Sequence, residues 1–262
     1  MAGNRVNISS FLDEEQEEFM RAKRRRGFSR PLMFIVVIVT AIFVMSLFFR
    51  VEEIEVEGNT HYTDEEIIRA IEIEEGDNLF FFDRFAAVGR VFAKLPYVEE
   101  VSVKRALPNH VTISVRESSA LAYLILGEEQ WTMDHNCKIL GKATEEETAT
   151  LLPIQNYNPG TLFIGERLES GNEDDEDSVS YLAEILQELE GRDMIANATR
   201  LNFADIRNPE LSYGGKYTIL LGPYSGVDHK FSMLAGVLET LKEGDTGIID
   251  LSDGTTAHFS PN

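Results

Sequence analysis

Cysteine is nearly absent: the 262-residue chain has one, Cys137. A single thiol forms no intrachain disulfide, so any part of the chain outside the cell must be held by an apolar core rather than by staples. Positive charge is also scarce once the first fifty residues are passed. Of a net −21, residues 1–30 carry +2 and Arg50 one more, which leaves −24 on residues 51–262. A segment that acidic repels phosphate backbones, so nucleic acid is not an expected partner. There is no phosphate-cradling glycine loop and no serine nucleophile elbow. His61, His110, His229 and His258 are scattered without ligand spacing. No metal, cofactor or small-molecule substrate is expected. No low-complexity tract or internal repeat stands out.

Long apolar runs are absent too, with one exception. Pro31 to Phe49 reads PLMFIVVIVTAIFVMSLFF, without a charge. As a helix it spans roughly 28 Å, close to the hydrocarbon thickness of a bilayer. Arg21, Lys23, Arg24, Arg25, Arg26 and Arg30 precede it; Arg50 and then Glu52, Glu53, Glu55 and Glu57 follow. Positive charge beside a span stays on the cytoplasmic side, so the expected topology is a tail 1–30 inside, a span 31–49 and everything later outside. No small-x-small pattern follows Phe49, which argues for an uncleaved anchor over a signal peptide. The span lacks GxxxG, so simple anchoring is its default role.

Residues 50–117 form the first outer module. Ile54 and Val56 alternate with glutamates, the pattern of a half-buried edge strand. Thr63-Asp64-Glu65-Glu66 is a capping box that opens a helix with Ile67, Ile68 and Ile71 on one face. Gly76-Asp77-Asn78 breaks it. A second helix is expected near Asp83, with Phe85, Val88, Phe92 and Leu95 as its apolar side, stopped by Pro96. Val101 and Val103, then Val111, Ile113 and Val115, alternate as two strands reversing at Pro108-Asn109-His110. The order is β-α-α-β-β.

These residues resemble a POTRA domain. Pro96-Tyr97-Val98, Val101, Val103, Arg105, Pro108, Val111, Ile113, Val115 and Arg116-Glu117 are similar to the POTRA of the bacterial division family FtsQ, called DivIB in Gram-positive bacteria. Gly76-Asp77-Asn78-Leu79-Phe80 fits that family's inter-helix segment.

Residues 118–262 form the second module. Strands are expected at Ala120–Leu126, Gln130–Met133 and Lys138–Leu140, with Asp134-His135-Asn136-Cys137 as a turn where the resembled family usually has glycine in place of Cys137. Thr144 to Thr148 reads as an acidic linker before Leu151-Leu152-Pro153-Ile154, and Glu169 to Asp177 as an acidic loop. Ser178 opens a helix with Leu182, Ile185, Leu186 and Leu189, closed by Gly191. Strands recur at Leu201–Phe203 and Tyr217–Leu221. Asp228 is the expected N-cap of a last helix carrying Phe231, Leu234, Leu238 and Leu241. Ile248–Leu251 and Thr255–Phe259 close the chain around Ser252-Asp253-Gly254. Leu220-Leu221-Gly222, Lys230 and Ile249-Asp250-Leu251 again resemble FtsQ/DivIB. The expected fold class is α+β: one transmembrane helix, a POTRA domain, then a mixed α/β domain with a mainly antiparallel sheet.

Two chemistries deserve weighing. His135 and Cys137 lie close in sequence, but no second histidine or oxyanion element supports a nucleophilic pair. The run Glu173-Asp174-Asp175-Glu176-Asp177 lacks the glycine and ligand spacing of a calcium loop, and a solvated charge block is the better reading. No enzyme is expected. The resemblance implies a non-enzymatic scaffold at the division septum that joins FtsB/DivIC-type and FtsL-type proteins and helps control septal wall synthesis. It implies strand addition at the last strand, where Asp253, Thr255, Ala257 and Phe259 are the candidate contacts, Phe259 being the aromatic anchor. The rival readings are a POTRA accessory of membrane insertion or secretion, which normally brings a β-barrel or several repeats, and a tethered hydrolase, which needs a catalytic constellation.

Overall fold

The computed structural model describes residues 30–172 and 177–262. The basic cluster Arg21–Arg26 and most of the Glu173–Asp177 run lie outside the described residues. Helix α1 (Arg30–Phe48) is the one described helix long and apolar enough to cross a membrane. All its side chains except Ser46 are exposed, so it is not the core helix of a soluble fold.

The chain divides into two compact units. The first gathers the described residues up to Glu55 with Ile73–Phe82 and Lys104–Thr112. Here the segment after α1 runs antiparallel to residues 76–79. Val51 N–H donates to Asp77 O at 2.8 Å, Gly76 N–H to Val51 O at 2.7 Å and Leu79 N–H to Phe49 O at 2.8 Å. Val51, Ile73, Leu79 and Val111 are buried in this unit.

The second unit holds Val56–Glu72, Asp83–Val103 and Ile113–Asn262. Strand β1 (Glu53–Glu57), helices α2 (Asp64–Ile71) and α3 (Arg84–Lys94), and strands β2 (Val98–Ala106) and β3 (His110–Glu117) follow the expected β-α-α-β-β order. The small sheet has the order β1-β3-β2, which leaves β1 at an edge as its glutamate alternation requires. Thr63 caps α2 in the expected box with Glu66. Arg90 donates from Nε (3.1 Å) and Nη2 (2.7 Å) to Ile71 O, which satisfies a carbonyl at the end of α2. The face of α3 differs from expectation. Ala87 and Val91 are buried, whereas Phe85 and Phe92 are exposed and only Leu95 of the expected set is buried. Small residues let α3 approach its neighbours closely, and the bulky rings are turned out.

A nine-stranded sheet follows, ordered β12-β11-β10-β9-β8-β7-β4-β5-β6. Its strands are β4 (Ala122–Leu126), β5 (Glu129–Met133), β6 (Ile139–Ala143), β7 (Leu152–Gln155), β8 (Ala198–Asn202), β9 (Glu210–Tyr213), β10 (Tyr217–Leu220), β11 (Gly247–Asp250) and β12 (His258–Pro261). Most neighbours are antiparallel; β4-β7, β7-β8 and β10-β11 are parallel. Parallel neighbours need crossovers, and helices α5 (Asp177–Gly191) and α6 (Val227–Thr240) supply two of them. Tyr181, Leu182, Ile185, Leu186 and Leu189 of α5 join Phe231 and Leu234 of α6 in one core with Phe203, Leu211, Ile219, Ile249 and Leu251. The fold is α+β.

Three local readings are corrected. The acidic linker is a short helix, α4 (Glu145–Thr148), capped by Thr144 and Glu147 in a second capping box. The N-cap of α6 is Gly226 in a left-handed conformation rather than Asp228, which sits inside the first turn. Strand β9 lies where no strand was expected.

Candidate partner-binding edge

The nine-stranded sheet has two outer strands, β6 and β12. The β6 edge is taken at Ile139, whose N–H donates to Glu166 O and whose carbonyl accepts from Gly165 N–H, both at 2.8 Å. Among the described strands β12 pairs with β11 alone, in the register Gly247↔Pro261, Ile248↔Ser260, Ile249↔Phe259 and Asp250↔His258. Asn262 N–H donates inward to Thr246 O at 3.0 Å. Backbone direction alternates along an antiparallel strand, so Ser260 and His258 also face inward. Phe259 therefore turns both its N–H and its carbonyl outward. Pro261 turns out a carbonyl but has no N–H. The open edge centres on one residue.

Side chains alternate the other way. The Phe259 ring packs against the core and meets Tyr217 edge-on, 6.3 Å between centroids. It is half-buried, so it fixes the strand from the core side while the backbone faces out.

The turn feeding β12 is closely held. Asp253 Oδ1 accepts from Thr255 and Thr256 N–H, each at 2.8 Å, and Oδ2 from Thr256 Oγ1 at 2.6 Å. These donors, with His258 3.8 Å away, hold the carboxyl far below the usual carboxylate range. Asp250 Oδ1 accepts from Ser252 N–H at 2.9 Å. Gly222 has φ +70°, and a Cβ there would stand 2.4 Å from Ser252 Cα. Beneath the turn lies Lys230, 1% exposed, its Nζ donating to Pro223 O at 2.5 Å. Its Cε is 3.8 Å from where a Cβ on Gly254 would be. Desolvation lowers the pKa of this amine.

Of the four candidate contacts, only Phe259 lies in β12. Asp253 and Thr255 belong to the turn, and Ala257 immediately precedes the strand. The expected strand from Thr255 begins three residues late because Asp253 captures the amides that would otherwise extend the ladder.

Comparison with known proteins supports the family resemblance. The POTRA domain, FtsQ-type, matches residues 49–118. The chain is 24% identical to the cell division protein DivIB of Clostridium botulinum over 90% of this chain and 93% of that one. It is 23% identical to DivIB of Bacillus subtilis over 56% of each chain. To the cell division protein FtsQ of Corynebacterium glutamicum it is 34% identical over 34% of this chain and 41% of that one. The FtsQ-type POTRA match and the likeness to DivIB along nearly the whole chain support the FtsQ/DivIB family.

These likenesses support a role in cell division, and the relatives are named as division proteins rather than as enzymes. The FtsQ/DivIB pieces of the second module, distant in sequence, meet around one turn: Gly222 against Ser252, Lys230 under Gly254, Asp250 bonded to Ser252. The departure at Cys137 is also explained. Its backbone is left-handed, φ 60°, a conformation that glycine adopts without strain. Its thiol is fully buried and burial pushes its pKa up, the reverse of an activated nucleophile. His135 is engaged with Glu190 at 3.0 Å and Glu99 at 3.9 Å rather than with the sulfur.

A further constellation escaped the sequence reading of roles. Glu117, at the end of β3, accepts from Thr60 N–H at 2.8 Å, His61 N–H at 2.5 Å and Tyr62 N–H at 3.2 Å. Partial burial raises its pKa, but the amides of His61, Thr60 and Tyr62 with the Thr60 hydroxyl outweigh this and hold it below the usual range. It locks the loop that leads into α2.

Proposed function

We propose that this FtsQ/DivIB chain is a non-enzymatic, single-pass scaffold of the bacterial division machinery. Its cytoplasmic tail is 1–30, its span 31–49, its outer POTRA domain 50–117 and its outer β domain 118–262. The charge asymmetry across the span supports this orientation. The β domain captures an FtsB/DivIC-type segment by strand addition at β12, gathers FtsL-type proteins with it at the septum, and so helps control septal wall synthesis. One observation carries the mechanism: the outward N–H and carbonyl of Phe259 on an otherwise unoccupied strand edge. A partner strand gains both backbone bonds there, and its alternating side chains confer specificity.

The test is Phe259→Pro in the full chain, with capture of a DivIC-type partner as readout. Proline removes the outward N–H and leaves the inward bonds at His258 and Ser260. We expect capture to fall about tenfold or more, a loss of about 1.4 kcal/mol. Undiminished capture by a folded variant removes strand addition at this edge. Septal fluorescence of a tagged chain and filamentation on depletion test the division role separately.

A further inference from the structure

The base of the first unit carries aromatics that packing does not explain. Residues 76–79 run antiparallel to 49–51, with Asn78 opposite Arg50 and Leu79 N–H bonded to Phe49 O. The chain therefore travels back along α1 toward the membrane as it approaches Phe80. Phe80 meets Phe49 edge-on, 5.1 Å between centroids. A tight turn follows, in which Phe81 N–H donates to Asn78 O at 3.0 Å. At its tip Phe81 is 68% exposed, and Phe48, ending α1, is 73% exposed. Leu107, in the adjoining hairpin turn, is exposed as well. Arg105 lies over the Phe82 ring at 4.7 Å and donates from Nη2 to Phe82 O at 3.2 Å.

With α1 as a membrane span, its last turn, where Phe48 is exposed, and the Asn78–Phe82 turn bonded to the residues just after it reach the depth of the lipid headgroups. Aromatic rings favour that boundary, and arginines there reach phosphates with their guanidinium while their stems lie on apolar surface. We propose that the Asn78–Phe82 turn, with Phe48 and Leu107, is a lipid-contacting foot: Phe80 and Phe81 enter the outer headgroup layer, with Arg50 and Arg105 placed to meet lipid phosphates. The occupant is the bilayer because the turn is hydrogen-bonded to the residues that leave it. The foot holds residues 73–82 and 104–112 against the lipid surface instead of leaving them to swing on residues 50–51. The inference rests on α1 crossing the membrane.

Trp131 is the only tryptophan, so Trp131→Phe gives a silent background. Its indole N–H has no partner among the described residues, so the change removes no hydrogen bond among them. In that background, full chains carrying Phe81→Trp or Phe43→Trp are reconstituted into protein-free vesicles whose lipids are brominated either high or deep in the acyl chain. Expected is a blue-shifted Phe81→Trp emission quenched most by the shallow bromine, with Phe43→Trp quenched most by the deep one. Quenching at Phe43→Trp with none at Phe81→Trp overturns the foot and leaves the span standing. No quenching at either position overturns the span, and the foot with it.

Discussion

Gly222→Ala is the substitution the turn before β12 tolerates least. The left-handed backbone alone costs about 1–3 kcal/mol for a residue with a Cβ, and the added carbon stands 2.4 Å from Ser252 Cα. Denaturant midpoints of the variant should fall, and its partner capture should fall with them. Asp253 acts through charge. Its carboxyl titrates lower in the folded turn than in the open chain, so its stabilisation is full above the usual carboxylate range, about pH 4. It is lost as pH falls from there toward the depressed folded value. The protection of the Thr255 and Thr256 amides should decline over that acid window. Asp253→Asn should flatten the decline; an unchanged profile in that variant would assign the acid sensitivity elsewhere. At Glu117, replacement by alanine leaves three backbone N–H groups of residues 60–62 without their acceptor. The expected cost is about 1–3 kcal/mol, read by chemical denaturation.

Elements were legible where a side chain announces its own hydrogen bond or where alternation is long. Thr63 with Glu66 marked the start of α2, and the valines of β2 and β3 marked a hairpin. Thr144 with Glu147 is the same box, but the four residues of α4 carry no apolar face to confirm it, so the segment looked like a linker. Thr144→Ala should cost about 1 kcal/mol, visible as loss of amide protection at Glu147. Strand β9 escaped because only Leu211 of its four residues is buried. Helix α3 was placed correctly and its face misassigned, since periodicity shows which positions align but not whether large or small residues pack inward. The edge was half legible. Phe259 falls in β12, whereas Asp253 and Thr255 fall in a turn whose length is set by side-chain capture of amides, a contact that alternation does not reveal.

The whole molecule joins an apolar helix to an acidic portion whose nine-stranded sheet has β12 at one edge. Gly222, Lys230 and Asp250 give the FtsQ/DivIB-like pieces of the second module a common purpose: they support the turn that presents β12. The central claim is that a partner strand bonds the Phe259 backbone, and hydrogen exchange reads that amide directly. In the free full chain the Phe259 N–H should exchange rapidly, because its outward direction leaves it to water. With a DivIC-type partner bound it should become strongly protected, while the inward amides of His258 and Ser260 change little. A stable complex in which the Phe259 amide still exchanges at its free rate would contradict the account.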